Sequence, residues 1–309
     1  MNLHGLHHIT AISGDIRKNV DFYTHVLGQR FVKKSVNQDD PGTYHLYYGD
    51  YNGSPGTILT FFPWAGVPRG RPGHGQAYAT AYSIPAGSLP FWQKRFTDLD
   101  IQTGEVETRF GEQVLTFFDP DGLRLELVAT AEADLRPPAP SQDVPAVHAI
   151  RGFHSSTLGL TSAKATAAVL VNAMGYRQLA TAGARARYTV ATGGPGTYVD
   201  LLTDPKLPRG LEGAGTIHHV AFRTPDDANQ EEALASLHQH GLASSPIIDR
   251  AYFKSLYYRE PGGVLFEIAT DTPGFAIDEP VETLGQKLSL PPRLEAHRTE
   301  IEAALPKLF

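Results

Sequence analysis

The sequence predicts an α+β fold built from four copies of a unit that contains one strand, one helix and then further strands. Three observations predict it. Four β-rich openings recur along the chain, a helix-forming segment follows each of them, and the closing strands of two units share one turn motif. Recurrence of this kind is the sequence signature of a repeated structural unit.

Each unit opens on a short run of β-branched and apolar residues that ends at a break in the pattern. The four openings are Leu6–Ser13, Ala77–Pro85, Phe153–Leu160 and Ile217–Pro225. Runs of this length and composition are typical of strands. We therefore predict that these segments form the first strand of each unit.

A helix is predicted after each opening. In unit 1, Asp15 can cap a helix, and Gly28 supplies its C-terminal stop. The apolar residues at helical spacing between them are Val20, Tyr23, Val26 and Leu27. The same ending returns in unit 3 at Gly175, whereas unit 2 has a helical segment at 89–99 without a terminal glycine. In unit 4 the predicted helix covers residues 226–240.

The closing strands of units 2 and 4 share a turn and a glutamate. The two segments are Asp119–Glu126 (DPDGLRLE) and Glu260–Glu267 (EPGGVLFE). In both, an acidic-Pro-X-Gly turn leads into a strand, and the glutamate stands at the same offset. Units 1 and 3 are predicted to close at Ile58–Phe62 and Tyr198–Leu202.

The units are predicted to lie in two halves of the chain. The N-terminal half covers residues 1–134 and the C-terminal half residues 148–270, with a proline-rich linker at 135–147 between them. Residues 271–309 form a tail. We expect the tail to end in an amphipathic helix near Leu294 to Leu305.

The composition excludes several classes of protein. Hydrophobic residues make up 41% and charged residues 19% of the 309 residues, which is ordinary for a globular protein with a large core. The net charge is −6 without a basic block, so nucleic acid is not an expected partner. No cysteine is present, so any metal must be held by His, Asp or Glu. The sequence shows no signal peptide and no membrane-length apolar run, so we expect a cytoplasmic protein.

Two histidine pairs and one glutamate are the candidate metal ligands. His7-His8 and His218-His219 occupy the same position in the openings of units 1 and 4, and Glu267 lies on a closing strand. In a unit that curls into a half-barrel, such strands can direct alternate side chains onto one concave face. One imidazole from each pair and the carboxylate would form a facial triad suited to ferrous iron, with Zn(II) or Mn(II) as alternatives. Histidines that only fill the core or the surface are the competing interpretation.

The repeat provides an internal control for this site. Aligning the units puts Ala79 and Ser155 at the positions of the second histidines. A pseudo-symmetric site would offer these residues together with Glu126 and Asp200. Because it lacks both imidazoles, we expect no metal there and interpret Glu126 as a structural carboxylate.

Several segments resemble the vicinal oxygen chelate superfamily, which includes glyoxalase I, bleomycin-resistance proteins, fosfomycin-resistance enzymes and extradiol ring-cleaving dioxygenases. Within it, the chain is most similar to hydroquinone-type ring-cleaving dioxygenases. The segments that carry the resemblance are Leu6–Thr10, Gly28–Lys33, Tyr44–Tyr48, Arg151–Ser155, Ile217–His219 and Gly262–Glu267. The resemblance implies that unit 1 pairs with unit 4 and unit 2 with unit 3, giving two half-open β-barrels and a C-terminal helical tail.

The resemblance also implies a set of site residues. The metal ligands would be the second histidine of each pair and the closing glutamate, namely His8, His219 and Glu267. The surrounding functional residues would be His7, Thr10, His218, Arg250 and Tyr257. Strand alternation places Thr10 on the face of His8, but it directs His7 and His218 away unless the strands bend there.

The function implied is Fe(II)-dependent cleavage of a hydroquinone-type ring by dioxygen. Arg250 could stabilise a phenolate and Tyr257 could donate a hydrogen bond or a proton, with a surface salt bridge and a core aromatic as the competing interpretations. A glyoxalase-like isomerase is one alternative, but its usual fourth ligand would fall near Thr60, a poor ligand. A non-catalytic binding protein is another, though it needs no metal triad. A homo-oligomer is left open.

Overall fold

The computed structural model describes residues 1–130 and 134–308. Residues 131–133, near the end of the predicted N-terminal half, and residue 309, the end of the predicted tail, lie outside the described residues. Among the described residues, no helix has the length and the apolar character needed to cross a membrane.

The described residues contain sixteen strands, and the predicted openings and closings are among them. In chain order the strands are β1 (Leu6–Ser13), β2 (Arg30–Asn37), β3 (Asp40–Gly49), β4 (Ile58–Pro63), β5 (Gln76–Pro85), β6 (Thr103–Arg109), β7 (Glu112–Phe118), β8 (Arg124–Thr130), β9 (Gly152–Gly159), β10 (Arg177–Ala182), β11 (Arg185–Thr189), β12 (Tyr198–Leu202), β13 (Thr216–Thr224), β14 (Ile248–Asp249), β15 (Phe253–Arg259) and β16 (Leu265–Pro273). The four predicted openings are β1, β5, β9 and β13, within a residue of the expected bounds.

A helix follows each opening strand, as predicted. The helices are α1 (Ile16–Asp21), α2 (Leu89–Asp98), α3 (Lys164–Ala168), α4 (Asp227–Gln239) and, in the tail, α5 (Arg298–Ala304). The Asp15 carboxylate caps α1 by accepting the N–H groups of Arg17 and Lys18. The helices of units 1 and 3 each continue into a π-helical turn, Phe22–Val26 and Val169–Ala173.

The strands form two curled, eight-stranded sheets with the same plan. One has the order β14-β15-β16-β13-β1-β4-β3-β2 and the other β10-β11-β12-β9-β5-β8-β7-β6. Unit 1 therefore pairs with unit 4 and unit 2 with unit 3, which confirms the predicted pair of half-open barrels. Each sheet takes one unit from each predicted half of the chain. The division at 1–134 and 148–270 therefore does not separate the sheets, and it stays a prediction.

At the centre of each sheet, two opening strands pair antiparallel, and each has its own unit's closing strand as a parallel neighbour. In the first sheet β1 pairs with β13, while β4 lies beside β1 and β16 beside β13. Alternation sends Ile9 and Ala11 into the main hydrophobic core and His8 and Thr10 to the other face. The concave face is thus left for polar side chains.

The tail packs against the edge strands of the first sheet. Val36 of β2 forms a small apolar cluster with Leu290, Ile301 and Leu305. The predicted tail helix near residues 294–305 was partly wrong, since Pro292–His297 is a 3₁₀ turn and only Arg298–Ala304 is α-helical. 3₁₀ turns are common at the N-terminus of an α-helix.

A buried cation holds the start of the tail. The Lys33 ammonium on β2 is fully buried and donates to Asp278 at 2.7 Å and to Glu279 at 2.5 Å. It also lies 5.0 Å from the ring centre of Tyr252. Removing one partner of a buried ion pair leaves an uncompensated charge, which costs more than the pair itself contributes.

We predict that Lys33→Ala lowers the free energy of unfolding by about 3 kcal/mol or more, because Glu279 is left buried without its cation. Urea unfolding monitored by circular dichroism measures it. Lys34→Ala, the neighbouring and more exposed lysine, is the control and should change stability by about 0.5 kcal/mol or less. Equal effects of the two variants would contradict the role given to Lys33.

Candidate metal centre

Three predicted ligands meet on the concave face of the first sheet. The Nε2 atoms of His8 and His219 lie 3.2 and 2.9 Å from Oε2 of Glu267, and 3.4 Å from each other. All three side chains are buried. In the described part of the chain, this is the one group of three or more metal-ligating side chains close enough to hold an ion.

The contacts of Glu267 indicate that a cation belongs at this point. Its Oε1 accepts a short hydrogen bond from the Ser255 hydroxyl. Its Oε2 is buried and has no hydrogen-bond partner among the described residues, although two ring nitrogens face it. A buried carboxylate oxygen without a partner is costly, and a metal ion shared with two imidazoles would satisfy it. The residues present therefore fit a metal.

The protonation states suit metal binding. Burial lowers the pKa of His219, and the carboxylate of Glu267 offsets only part of that change. Burial alone would raise the pKa of Glu267, but the neighbouring His8 and His219 hold it well below its usual range. A neutral imidazole and an ionised carboxylate are the forms that bind metal ions.

β-Bulges bring the first histidine of each pair to the site. His7 is the extra residue where β1 pairs with β13, and His218 is the extra residue on β13. A bulge redirects a side chain that regular alternation would send to the opposite face. As a result Nδ1 of His7 lies 2.9 Å from Nδ1 of His8, and Nδ1 of His218 lies 2.8 Å from Nδ1 of His219.

The hydrogen bonds of His7 define one consistent set of tautomers. If Nε2 of His8 is kept for a metal, its Nδ1 carries the proton and donates to Nδ1 of His7. The Nε2–H of His7 then donates to the carbonyl of Thr270 at 3.1 Å. Burial also lowers the pKa of His7 well below its usual range, which keeps this ring neutral. Outer hydrogen bonds of this kind fix the tautomer and the orientation of a ligand histidine.

Thr60 occupies the position that corresponds to Glu267 in unit 1. It pairs with Thr10 on β1, just as Glu267 pairs with Ala221 on β13. Its hydroxyl lies 2.8 Å from both Oγ1 of Thr10 and Nε2 of His45. Thr60 is thus engaged in hydrogen bonds. The position at which the isomerase alternative expects a fourth protein ligand therefore holds no carboxylate.

His45 and Tyr47 were not among the predicted site residues. Both lie on β3 and line the cavity beside the triad. The Tyr47 hydroxyl lies 2.7 Å from Nδ1 of His45, so a chain of hydrogen bonds runs from Tyr47 through His45 to Thr60. Burial lowers the pKa of His45 well below its usual range. Their spacing of two residues on a strand was the signal in the sequence that could have placed them on one face.

Arg250 and Tyr257 lie together at the opposite wall of the cavity. Nε of Arg250 donates to the Tyr257 hydroxyl at 3.3 Å, and the guanidinium also contacts Asp39 at 3.2 Å. The Tyr257 ring centre lies 5.7 Å from that of His219. Burial raises the pKa of Tyr257, so the phenol keeps its proton at neutral pH. Arg250 and Tyr257 both line the cavity beside the triad, and their functional roles stay predictions.

The cavity in front of the triad is small. Its volume is about 40 Å³, with the rings of Phe62 and Phe253 among its walls. For comparison, an engineered cavity of roughly 150 Å³ in another protein holds benzene. Gln38 and Asp39, at the tip of the β2–β3 hairpin, also line it. Admitting an aromatic ring therefore requires displacement of part of this wall.

The equivalent place in the second sheet is filled by ion pairs. Glu126 pairs with Ala81, and Asp200 pairs with Thr157. Ala79 and Ser155 stand two residues before these partners, which are the positions that histidines occupy in the first sheet. Arg109 donates to Glu126 at 2.8 Å. Asp200 accepts two hydrogen bonds from Arg187, at 2.8 and 3.0 Å. Both buried carboxylates are thus neutralised by arginines.

Comparison with known proteins identifies the family. A family model described as the Glyoxalase/Bleomycin resistance protein/Dioxygenase superfamily matches residues 5–127 and 144–268. The chain belongs to this superfamily. The resemblance inferred from the sequence is therefore confirmed, and so is the fold expected from it.

Several relatives that match along most of their length are ring-cleaving dioxygenases by name. MhqO of Bacillus subtilis, named a "Putative ring-cleaving dioxygenase", is 48% identical over 97% of this chain and 95% of its own. A chlorohydroquinone/hydroquinone 1,2-dioxygenase of Sphingobium indicum is 37% identical over 96% and 94%. The crystal structure of a "putative dioxygenase" from Bacillus subtilis superposes with a TM-score of 0.95 at 46% identity, covering 100% of this chain and 98% of that one.

We predict one tightly bound metal ion per chain, lost in His8→Ala, His219→Ala and Glu267→Ala because three ligands leave no redundancy. Elemental analysis of anaerobically purified protein measures it. Glu126→Gln and Ser155→Ala, at the equivalent positions of the second sheet, are matched controls and should keep the metal. Two equivalents per chain, or a Glu267→Ala variant that binds the metal like the parent, would show the assignment to be wrong.

We also predict that His7→Phe weakens metal binding about 10- to 100-fold without abolishing it, because His8 loses the acceptor that orients its ring. Competition with a metal-binding dye measures the affinity. His154→Phe is the matched control, since His154 is the bulge residue of β9 in the second sheet. Unchanged affinity in His7→Phe would show that the bulge does not position the ligand.

Proposed function

We propose that the protein is an Fe(II)-dependent ring-cleaving dioxygenase that acts on a hydroquinone-type aromatic diol, with dioxygen as the second substrate. The observation that carries the proposal is the buried triad of His8, His219 and Glu267 at the end of a cavity with aromatic walls. The names of the relatives support it, since one of them is a chlorohydroquinone/hydroquinone dioxygenase.

Two histidines and one carboxylate suit ferrous iron, which, when bound, would supply the redox chemistry that joins dioxygen to the ring. The chain supplies orientation and charge. Phe62 and Phe253 provide flat apolar surfaces for an aromatic ring. The ligand imidazoles are held in place by hydrogen bonds from behind, so that their Nε2 atoms stay directed at one point.

Arg250 and Tyr257 are placed to hold an ionised hydroxyl. Burial would lower the pKa of Arg250, but Tyr257 and Asp39 raise it, so the guanidinium stays cationic. Its bonds to Tyr257 and Asp39 leave one N–H on each terminal nitrogen for a substrate oxygen. Because Tyr257 accepts from Arg250, its own O–H remains available to donate into the cavity.

These two residues favour a para-diol. A catechol can chelate a metal through both oxygens, so metal contacts alone can hold its ring. A hydroquinone offers only one oxygen at a time, and the protein must hold the far end of its ring. Tyr257 can fix the ring by a hydrogen bond, while Arg250 favours the ionised form of the ligated oxygen.

Two alternatives have less support. In a glyoxalase-like isomerase a fourth protein ligand is expected, but Thr60 occupies that position and is bonded to Thr10 and His45. A non-catalytic binding protein has no need of an unpaired, buried carboxylate oxygen facing two imidazoles. Oxygen uptake by the iron-loaded protein separates the dioxygenase from both.

We predict that anaerobically purified, iron-loaded protein takes up oxygen faster with hydroquinone than with catechol, for the geometric reason above. An oxygen electrode measures both rates. The triad variant Glu267→Ala is the control for uptake that does not depend on the site. Faster turnover of catechol would overturn the substrate assignment and leave the metal site standing.

Arg250→Ala and Tyr257→Phe should each keep iron but lower kcat/KM for hydroquinone about 10- to 150-fold. A hydrogen bond to a charged partner in a buried site contributes about 1.5–3 kcal/mol, which corresponds to that range of rates. Steady-state kinetics with metal analysis of each variant measures both quantities. Full activity in both variants would remove these residues from the mechanism.

A further inference from the structure

The charges on the cavity wall form a single pair. Within the part of the chain that the structure describes, Arg250 and Asp39 are the only Lys, Arg, Asp or Glu side chains that line the cavity. Oδ1 and Oδ2 of Asp39 accept from the two terminal nitrogens of Arg250 at 3.4 and 3.2 Å. The wall as a whole therefore carries no net charge, apart from what a bound metal and Glu267 contribute.

The two partners are buried to different degrees. The Arg250 side chain is 18% exposed, whereas that of Asp39 is 74% exposed. Arg250 is part of the wall and is held by Tyr257, while Asp39 stands at the solvent side of the cavity. A molecule that enters therefore meets the carboxylate before it meets the guanidinium.

The backbone of the hairpin tip keeps Asp39 in this place. The Asp39 N–H donates to the Asn37 side chain at 3.0 Å. The side-chain amide of Gln38 donates to the backbone carbonyl of Arg250 at 3.1 Å, and the Arg293 side chain of the tail donates to the backbone carbonyl of Gln38 at 2.8 Å. The turn that contains Asp39 is thus hydrogen-bonded both to the loop that precedes β15 and to the tail.

We propose that Asp39 is a specificity residue that restricts the site to uncharged diols and excludes diols that carry a carboxylate. The inference rests on the proposed function and adds the charge of the substrate to it. A carboxylate substituent would meet the like charge of Asp39, and the positive charge of Arg250 that could attract it is already neutralised by Asp39. An uncharged hydroquinone meets neither penalty, because its single negative charge arises only at the ligated oxygen.

The experiment compares two diols of nearly equal size, 2,5-dihydroxybenzoate and its methyl ester, together with unsubstituted hydroquinone. The iron-loaded parent should turn over hydroquinone and the ester and should discriminate against the acid. Asp39→Asn frees Arg250 and removes the like charge, so the ratio of kcat/KM for acid to ester should rise roughly tenfold or more. The ratio of their anaerobic dissociation constants should shift the same way.

Asp40→Asn is the matched control. It changes the same charge at the next position of the hairpin, where the carboxylate accepts from Thr43 and not from Arg250. Its acid-to-ester ratio should stay within about twofold of the parent. Equal shifts in Asp39→Asn and Asp40→Asn would reduce the effect to general surface charge and overturn the proposal.

Other outcomes separate this inference from the proposed function. If the parent turns over the acid as well as the ester, or if Asp39→Asn leaves the ratio unchanged while hydroquinone is still consumed, the role of Asp39 is wrong and the dioxygenase stands. If the iron-loaded parent consumes no hydroquinone at all, the proposed function itself fails.

Discussion

The site depends on one backbone arrangement, the antiparallel pairing of β1 with β13 at the centre of the first sheet. It brings two opening strands that are far apart in sequence side by side, and the parallel neighbour β16 adds Glu267 from the same unit as His219. The ligand distances are consequences of strand register. A one-residue slip in either pairing would send a ligand to the opposite face. The three ligands therefore meet only in this strand register.

The second sheet has the same backbone plan and shows what happens when the imidazoles are absent. Glu126 and Asp200 remain buried there. Two buried carboxylates without a metal need other cations, and Arg109 and Arg187 provide them. Among the residues that the structure describes, the combination of a buried carboxylate oxygen without a partner and facing imidazoles occurs only in the first sheet. The difference between the two sheets therefore lies in a few side chains and not in the fold.

Much of the fold could be predicted from the sequence, because the repeated units can be aligned with one another. The opening strands and the cap at Asp15 follow from period and residue type, and the resemblance to the superfamily selected His8, His219 and Glu267 as ligands. The bulges at His7 and His218 could not be predicted, since an extra residue in one strand depends on how the partner strand pairs. Asp39 could not be predicted either, because its importance comes from a contact with a residue more than two hundred positions away.

The tip of the β2–β3 hairpin lines the cavity, carries the charge of Asp39 and contacts the tail. The cavity of about 40 Å³ is too small for a ring, so some wall must move before a diol can enter. The ligand strands lie at the centre of a sheet, and moving them would break ladder hydrogen bonds. The tip is held instead by a few polar contacts from Gln38, Asp39 and Arg293, one of which is a partly exposed ion pair. Such contacts are weaker than a strand ladder, since water can replace each of them. The least costly opening therefore lies at the hairpin tip and leaves the ligand strands in place.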